Sequence, residues 1–109
     1  MRYLLIHASS RLVDHACRPD EDDLQAWIEE MAGRGVLVDG APLRPTADAT
    51  SVRMRDSEVI VVDGPFAETK EQIAGYDLID CADLDEALEI AAKHPTVRHG
   101  TIEVRPLWE

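Results

Sequence analysis

The chain has 109 residues, enough for one compact domain spanning 1–109 and too few for a second core of useful size. Its 22 acidic residues outnumber 11 basic ones, giving a formal charge of -11. A field of that sign repels phosphate backbones and argues against nucleic acid as a partner, though it suits a protein with a basic patch. Cys17 and Cys81 lie far apart without pairing or metal-ligand spacing, which reads as a reduced, cytoplasmic setting.

The run Tyr3 to Ile6 suits a central strand buried on both faces, and it is too short for a signal peptide or a membrane span. Ser9 to Arg18 is polar and reads as a loop. Pro19 followed by four acids opens a helix, because proline fits the first turn and acids complement the positive end of the dipole. Leu24, Trp27, Ile28 and Met31 recur at helical spacing along it, and the helix is expected from Asp20 to Arg34. Val36 to Val38 reads as the next strand, ending at Asp39-Gly40, and Pro42 and Pro45 make the next stretch irregular. Ser51 to Arg55 and Val59 to Val62 alternate across Asp56-Ser57 and predict a hairpin. Gly75 to Asp80 is a further strand. Asp83 starts a capping-box helix, with Leu84, Ala87, Leu88 and Ala91 on one face and Pro95 barring continuation. Thr101 to Arg105 is the last strand.

Without the hairpin, the order is βαβ and then βαβ again, so the fold class is α+β with a ferredoxin-like arrangement and an inserted β-hairpin. Helices on one face of such a sheet leave the other needing cover, which a second subunit would supply; a homodimer is expected.

Chemistry concentrates after the hairpin, where Asp63-Gly64-Pro65-Phe66 delivers a strand into a rigid turn. Phe66 sits beside the carboxylates of Asp63 and Glu68 and the ammonium of Lys70. A carboxylate partly desolvated by Phe66 would gain basicity, making Asp63 and Glu68 candidate acid/base groups. The competing reading is ordinary turn chemistry, with Asp63 bonded to backbone amides and Phe66 in a core. Gly64, Pro65, Phe66 and Lys70 are candidate ligand contacts, as are His7 at the end of the first strand and Asp39 at another. His94 is a further catalytic candidate, weighed against a cation that complements the negative end of the second helix. His15 and His99 have no decisive context. His94 and His99 flank a proline and share no helix face, so no metal is expected. Neither a Gly-x-Ser-x-Gly turn nor a phosphate-binding glycine loop is present, and no cofactor is expected.

The Asp63 to Glu71 segment, Gly75-Tyr76-Asp77-Leu78-Ile79 and the closing Gly100 to Pro106 together closely resemble the YCII-related family, in the branch named for its DGPF motif. The resemblance covers nearly the whole chain and implies a dimeric α+β barrel. In YCII proteins outside this branch, it implies a His on the first helix and an Asp as acid and base. Here the helix from Asp20 to Arg34 contains no His, so that pair does not transfer. Two functions compete. One is a small-molecule binder, with cofactor-independent lyase-, isomerase- or dehalogenase-like proton transfer near the DGPF turn. The other, implied by the resemblance, is a regulatory module accompanying an extracytoplasmic-function sigma factor.

Overall fold

The computed structural model describes residues 1–10, 21–65 and 71–109. Most of the expected loop after Ser9, and the segment from Phe66 to Lys70, lie outside these residues. The elements run β1 (Arg2–Ser10), α1 (Glu21–Gly33), β2 (Leu37–Pro42), β3 (Thr50–Arg55), β4 (Glu58–Asp63), β5 (Glu71–Asp80), α2 (Leu84–Ala92) and β6 (Thr101–Pro106). Single 3-10 turns cover Thr46–Asp48 and Pro95–Arg98. The main sheet has the order β2-β5-β1-β6 with every pairing antiparallel, the ferredoxin-like order once the β3-β4 hairpin is set aside.

Period-2 alternation decides which side chains meet the helices. Tyr3 and Leu5 of β1 pair with Ile79 and Asp77 of β5, and His7 pairs with Gly75. Tyr3, Leu5 and Ile79 are buried against Trp27 and Met31 of α1 and Ala87, Ile90 and Ala91 of α2. Trp27 also donates its Nε1–H to the Ile90 carbonyl at 3.0 Å, which ties the helices together and satisfies the one polar atom of a buried indole. On the opposite face, Leu4, Ile6, Tyr76 and Leu78 stay half-exposed.

Several boundaries differ from the sequence expectation. β2 runs on to Pro42, so Asp39 and Gly40 lie inside it, with a register shift between Leu37 and Asp39. The long β5 supplies partners as far as Gly75, and Pro42 is tolerated because β2 is an edge strand. β1 likewise continues past His7, with a bulge between His7 and Ala8, so His7 does not close the strand. In α2 the buried face is Ala87, Ile90 and Ala91, while Leu84 and Leu88 are about half exposed. The helix is rolled toward Ile90, whose carbonyl receives Trp27. The hairpin turn is as expected: Asp56 and Ser57 both adopt positive φ, at 51° and 67°.

Asp83 caps α2 by accepting from Glu86 N at 2.9 Å. The Glu86 carboxylate reaches back to Ala82 N at 3.0 Å, one residue before the usual box partner. Asp83→Ala should lower stability by about 1 kcal/mol in urea unfolding, the usual cost of a lost N-cap acceptor.

Candidate functional site

Going along the sheet face under the helices, the pairs change from Tyr3–Ile79 to Leu5–Asp77 and then His7–Gly75. The apolar core therefore gives way to polar groups at one end of the sheet without leaving the buried face. Asp77 is 8% exposed there. Gly40 of β2 pairs with Asp77, and a Cβ at Gly40 would fall 2.1 Å from Asp77 Oδ1. Only a residue without a side chain leaves room for the carboxylate at that position.

His94 enters from beyond α2. It is 2% exposed and caps the 3-10 turn, accepting from Thr96 N through Nδ1 at 3.0 Å. Its ring packs edgewise on Trp27 and on His7, with centroids 4.6 and 4.3 Å away. His7 Nε2 lies 2.7 Å from Asp77 Oδ2, and His94 Nε2 lies 3.6 Å from the same oxygen. Two atoms presenting only lone pairs repel at 2.7 Å, so a proton belongs between His7 and Asp77. The alignment is not that of a linear hydrogen bond, and His7 Nε2, Asp77 Oδ2 and His94 Nε2 are all buried without a formed one.

Burial, and then the neighbouring His7, push the His94 pKa down from 6.5 to about 3. A buried imidazole flanked by another cannot take up a proton cheaply. His94 is therefore a neutral ring at ordinary pH, not the cation expected at the negative end of α2. Lys93 stands at that helix C-cap instead.

The trio lines a cleft of about 740 Å³ whose walls include Leu24 and Ile28 of α1, Leu37 of β2 and Ile73 of β5. Apolar side chains share its wall with polar and charged ones, among them Glu21, Asp39, Arg44 and Gln72, and its size is that of a small-molecule site. Among the described residues, His7, Asp77 and His94 also form the group whose ligand atoms lie close enough, within 4.8 Å of one another, to suggest a metal.

Of the candidates read from sequence, His7, Asp39 and His94 line this cleft. Asp39 is exposed and accepts from its neighbour Gly40 N. Asp63, Gly64 and Pro65 are not among the cleft-lining residues. Gly64, at φ 102°, is tied to the base of the hairpin: its N–H donates to Ala49 O at 2.7 Å, and its carbonyl accepts from Ser51 Oγ at 2.7 Å. Phe66, Glu68 and Lys70 lie outside the described residues. Asp77 is the site residue that sequence patterns do not single out. Its one signal is a carboxylate two residues from Ile79, inside a strand apolar on both faces.

Topology and cleft define a small α+β domain with its polar cluster at one end of a ferredoxin-like sheet. The chain matches the YCII-related domain over residues 1–109 and belongs to that family. It is similar, at 42% identity over 114 residues, to an uncharacterised protein of Rhizobium meliloti (strain 1021), with 98% of this chain and 92% of that protein covered. No described helix is long and apolar enough to cross a membrane.

The depressed His94 pKa ties stability to pH. Unfolded His94 takes up a proton below about pH 6.5, whereas the folded ring resists until about 3, so its contribution is full above 6.5 and is lost toward 3. Between pH 7 and 5 the wild type should lose about 2 kcal/mol more than His94→Asn does over the same range in denaturant titrations. Equal losses would show that His94 is not held neutral.

Proposed function

We propose that the cleft binds a small molecule and exchanges a proton with it through His7 and Asp77, without a cofactor. The observation that carries this reading is the convergence of His7 Nε2, Asp77 Oδ2 and His94 Nε2, all buried and none in a formed hydrogen bond. Polar groups left in that state destabilise a fold by about 1–3 kcal/mol each, a cost a domain this small retains only where a site needs it. A carboxylate paired with an imidazole at the wall of a cleft can take a proton from a bound C–H or O–H and return it elsewhere. Lyase- and isomerase-like reactions need no more than this. Of the DGPF-branch features, the turn at Asp63 to Pro65 then serves the hairpin, and Asp77 takes the carboxylate role that the sequence pattern assigns to Asp63 and Glu68.

A second copy of the chain completes this reading. The β3-β4 register places Val52 opposite Val61 and Met54 opposite Val59 on one face of the ribbon, each between 62% and 68% exposed. A two-stranded ribbon is barely stable alone in water, and an uncovered apolar face calls for a partner surface. The half-exposed sheet face of Leu4, Ile6, Tyr76 and Leu78 needs cover of the same kind. A sigma-factor partner, implied by the family resemblance, has only the -11 charge beside it and ranks below the ligand reading.

Two measurements check this reading. Native mass spectra of the protein with a panel of small metabolites should show a retained ligand. His7→Gln and Asp77→Asn should each weaken that binding at least tenfold, about 1.4 kcal/mol, while Asp63→Asn leaves it unchanged; unaltered binding in Asp77→Asn would sink the site. The same spectra should show twice the 12.1 kDa chain mass, with Val61→Asp shifting the protein to single chains. A wild-type monomer at micromolar concentration would remove the dimer.

A further inference from the structure

We propose that His94 is a positioning residue, held as its Nε2–H tautomer by the Thr96 amide, which directs a fixed donor at Asp77 and bars a metal ion from the cluster. This rests on the proton-exchange reading of the same cleft, since Asp77 and His7 are the groups it positions.

The tautomer is set at the far side of the ring. Thr96 N–H donates to His94 Nδ1 at 3.0 Å, so Nδ1 must present a lone pair. A neutral imidazole with its lone pair at Nδ1 carries its proton on Nε2. Protonating Nδ1 instead would set two N–H groups against each other inside the fold. Burial beside His7 disfavours the doubly protonated ring. Nε2–H is therefore the form the backbone imposes, and this assignment comes from the turn at Pro95–Arg98 rather than from the cleft.

His94 Nε2, which carries that proton, lies 3.6 Å from Asp77 Oδ2, beyond hydrogen-bond length in the unliganded cleft. Catalytic contacts of this kind are often long without ligand and shorten in the complex. A carboxylate oxygen approached by both His94 Nε2 and His7 Nε2 keeps its orientation while a proton moves. The metal alternative fails on two counts. A ligating nitrogen needs the lone pair that His94 Nε2 has given up. The 2.7 Å between His7 Nε2 and Asp77 Oδ2 is also shorter than the roughly 3.3 Å separating two ligands of a tetrahedral zinc ion.

The test is ring-nitrogen NMR on protein labelled with 15N-histidine, with no ligand added. His94 should show the Nε2–H tautomer throughout, from about pH 8 to pH 5, and equimolar Zn2+ should leave that pattern intact. An Nδ1–H pattern, or a zinc complex that erases the Nε2–H signal, would overturn the proposal. Two variants then separate positioning from packing. His94→Asn keeps an acceptor for Thr96 but loses the outer donor, whereas His94→Gln restores a donor near the Nε2 position. The His7 ring signals should redistribute between tautomers in the Asn variant and return to the wild-type pattern in the Gln variant. Identical His7 spectra in wild type and both variants would reduce His94 to packing. None of these readouts needs a substrate, so a failure here leaves the binding measurements on His7 and Asp77 to stand or fall separately.

Discussion

One buried carboxylate organises this molecule. Asp77 occupies an inward position of β5, where the pattern of the strand asks for an apolar residue. A charge in that place is costly unless neighbouring groups compensate it. Around it, β1 contributes His7, the turn after α2 contributes His94, and β2 contributes a glycine where any side chain would strike Oδ1. Three separate elements are thus constrained by one oxygen pair. The bulge after His7 and the register shift before Asp39 lie on the two strands that flank β5, on either side of the carboxylate.

The hydrophobic core and the cluster share one wall. Trp27 is the hinge between them, because its Nε1–H bonds the Ile90 carbonyl while its ring borders His94. Packing that fixes α1 on α2 therefore also fixes the imidazole. Ion pairs contribute differently. Arg34 reaches Glu30, Glu86 and Glu89 near the helix ends, and Lys93 reaches Glu30, but these groups are a third to half exposed and screened by solvent. They help orient the helices without deciding the fold.

The hairpin is a separate device. It forms its own two-stranded sheet, and Gly64 ties its end back to Ala49 and Ser51. Asp63, Gly64 and Pro65 of the most recognisable motif in the sequence lie at the base of the ribbon and are not among the cleft-lining residues. Strong local signals identify families and turns well. They say little about which distant residues will meet.

Local physics made much of the fold legible in the sequence: the helical spacing of Leu24, Trp27, Ile28 and Met31, the N-cap at Asp83, the alternation around Asp56-Ser57, and the βαβ order. Each depends on residues within a turn or two of one another. His7 and His94 stand out as candidates because imidazole is chemically conspicuous, but nothing local joins them. Asp77 is hidden because both faces of its strand are apolar, so period-2 alternation cannot mark its inward side. The pairing of Leu5 with Asp77, the gap left by Gly40 and the packing of His94 on His7 belong to the tertiary structure alone. They arise where the closed sheet and the turn after α2 bring together residues dozens of positions apart, and no local pattern encodes those distances.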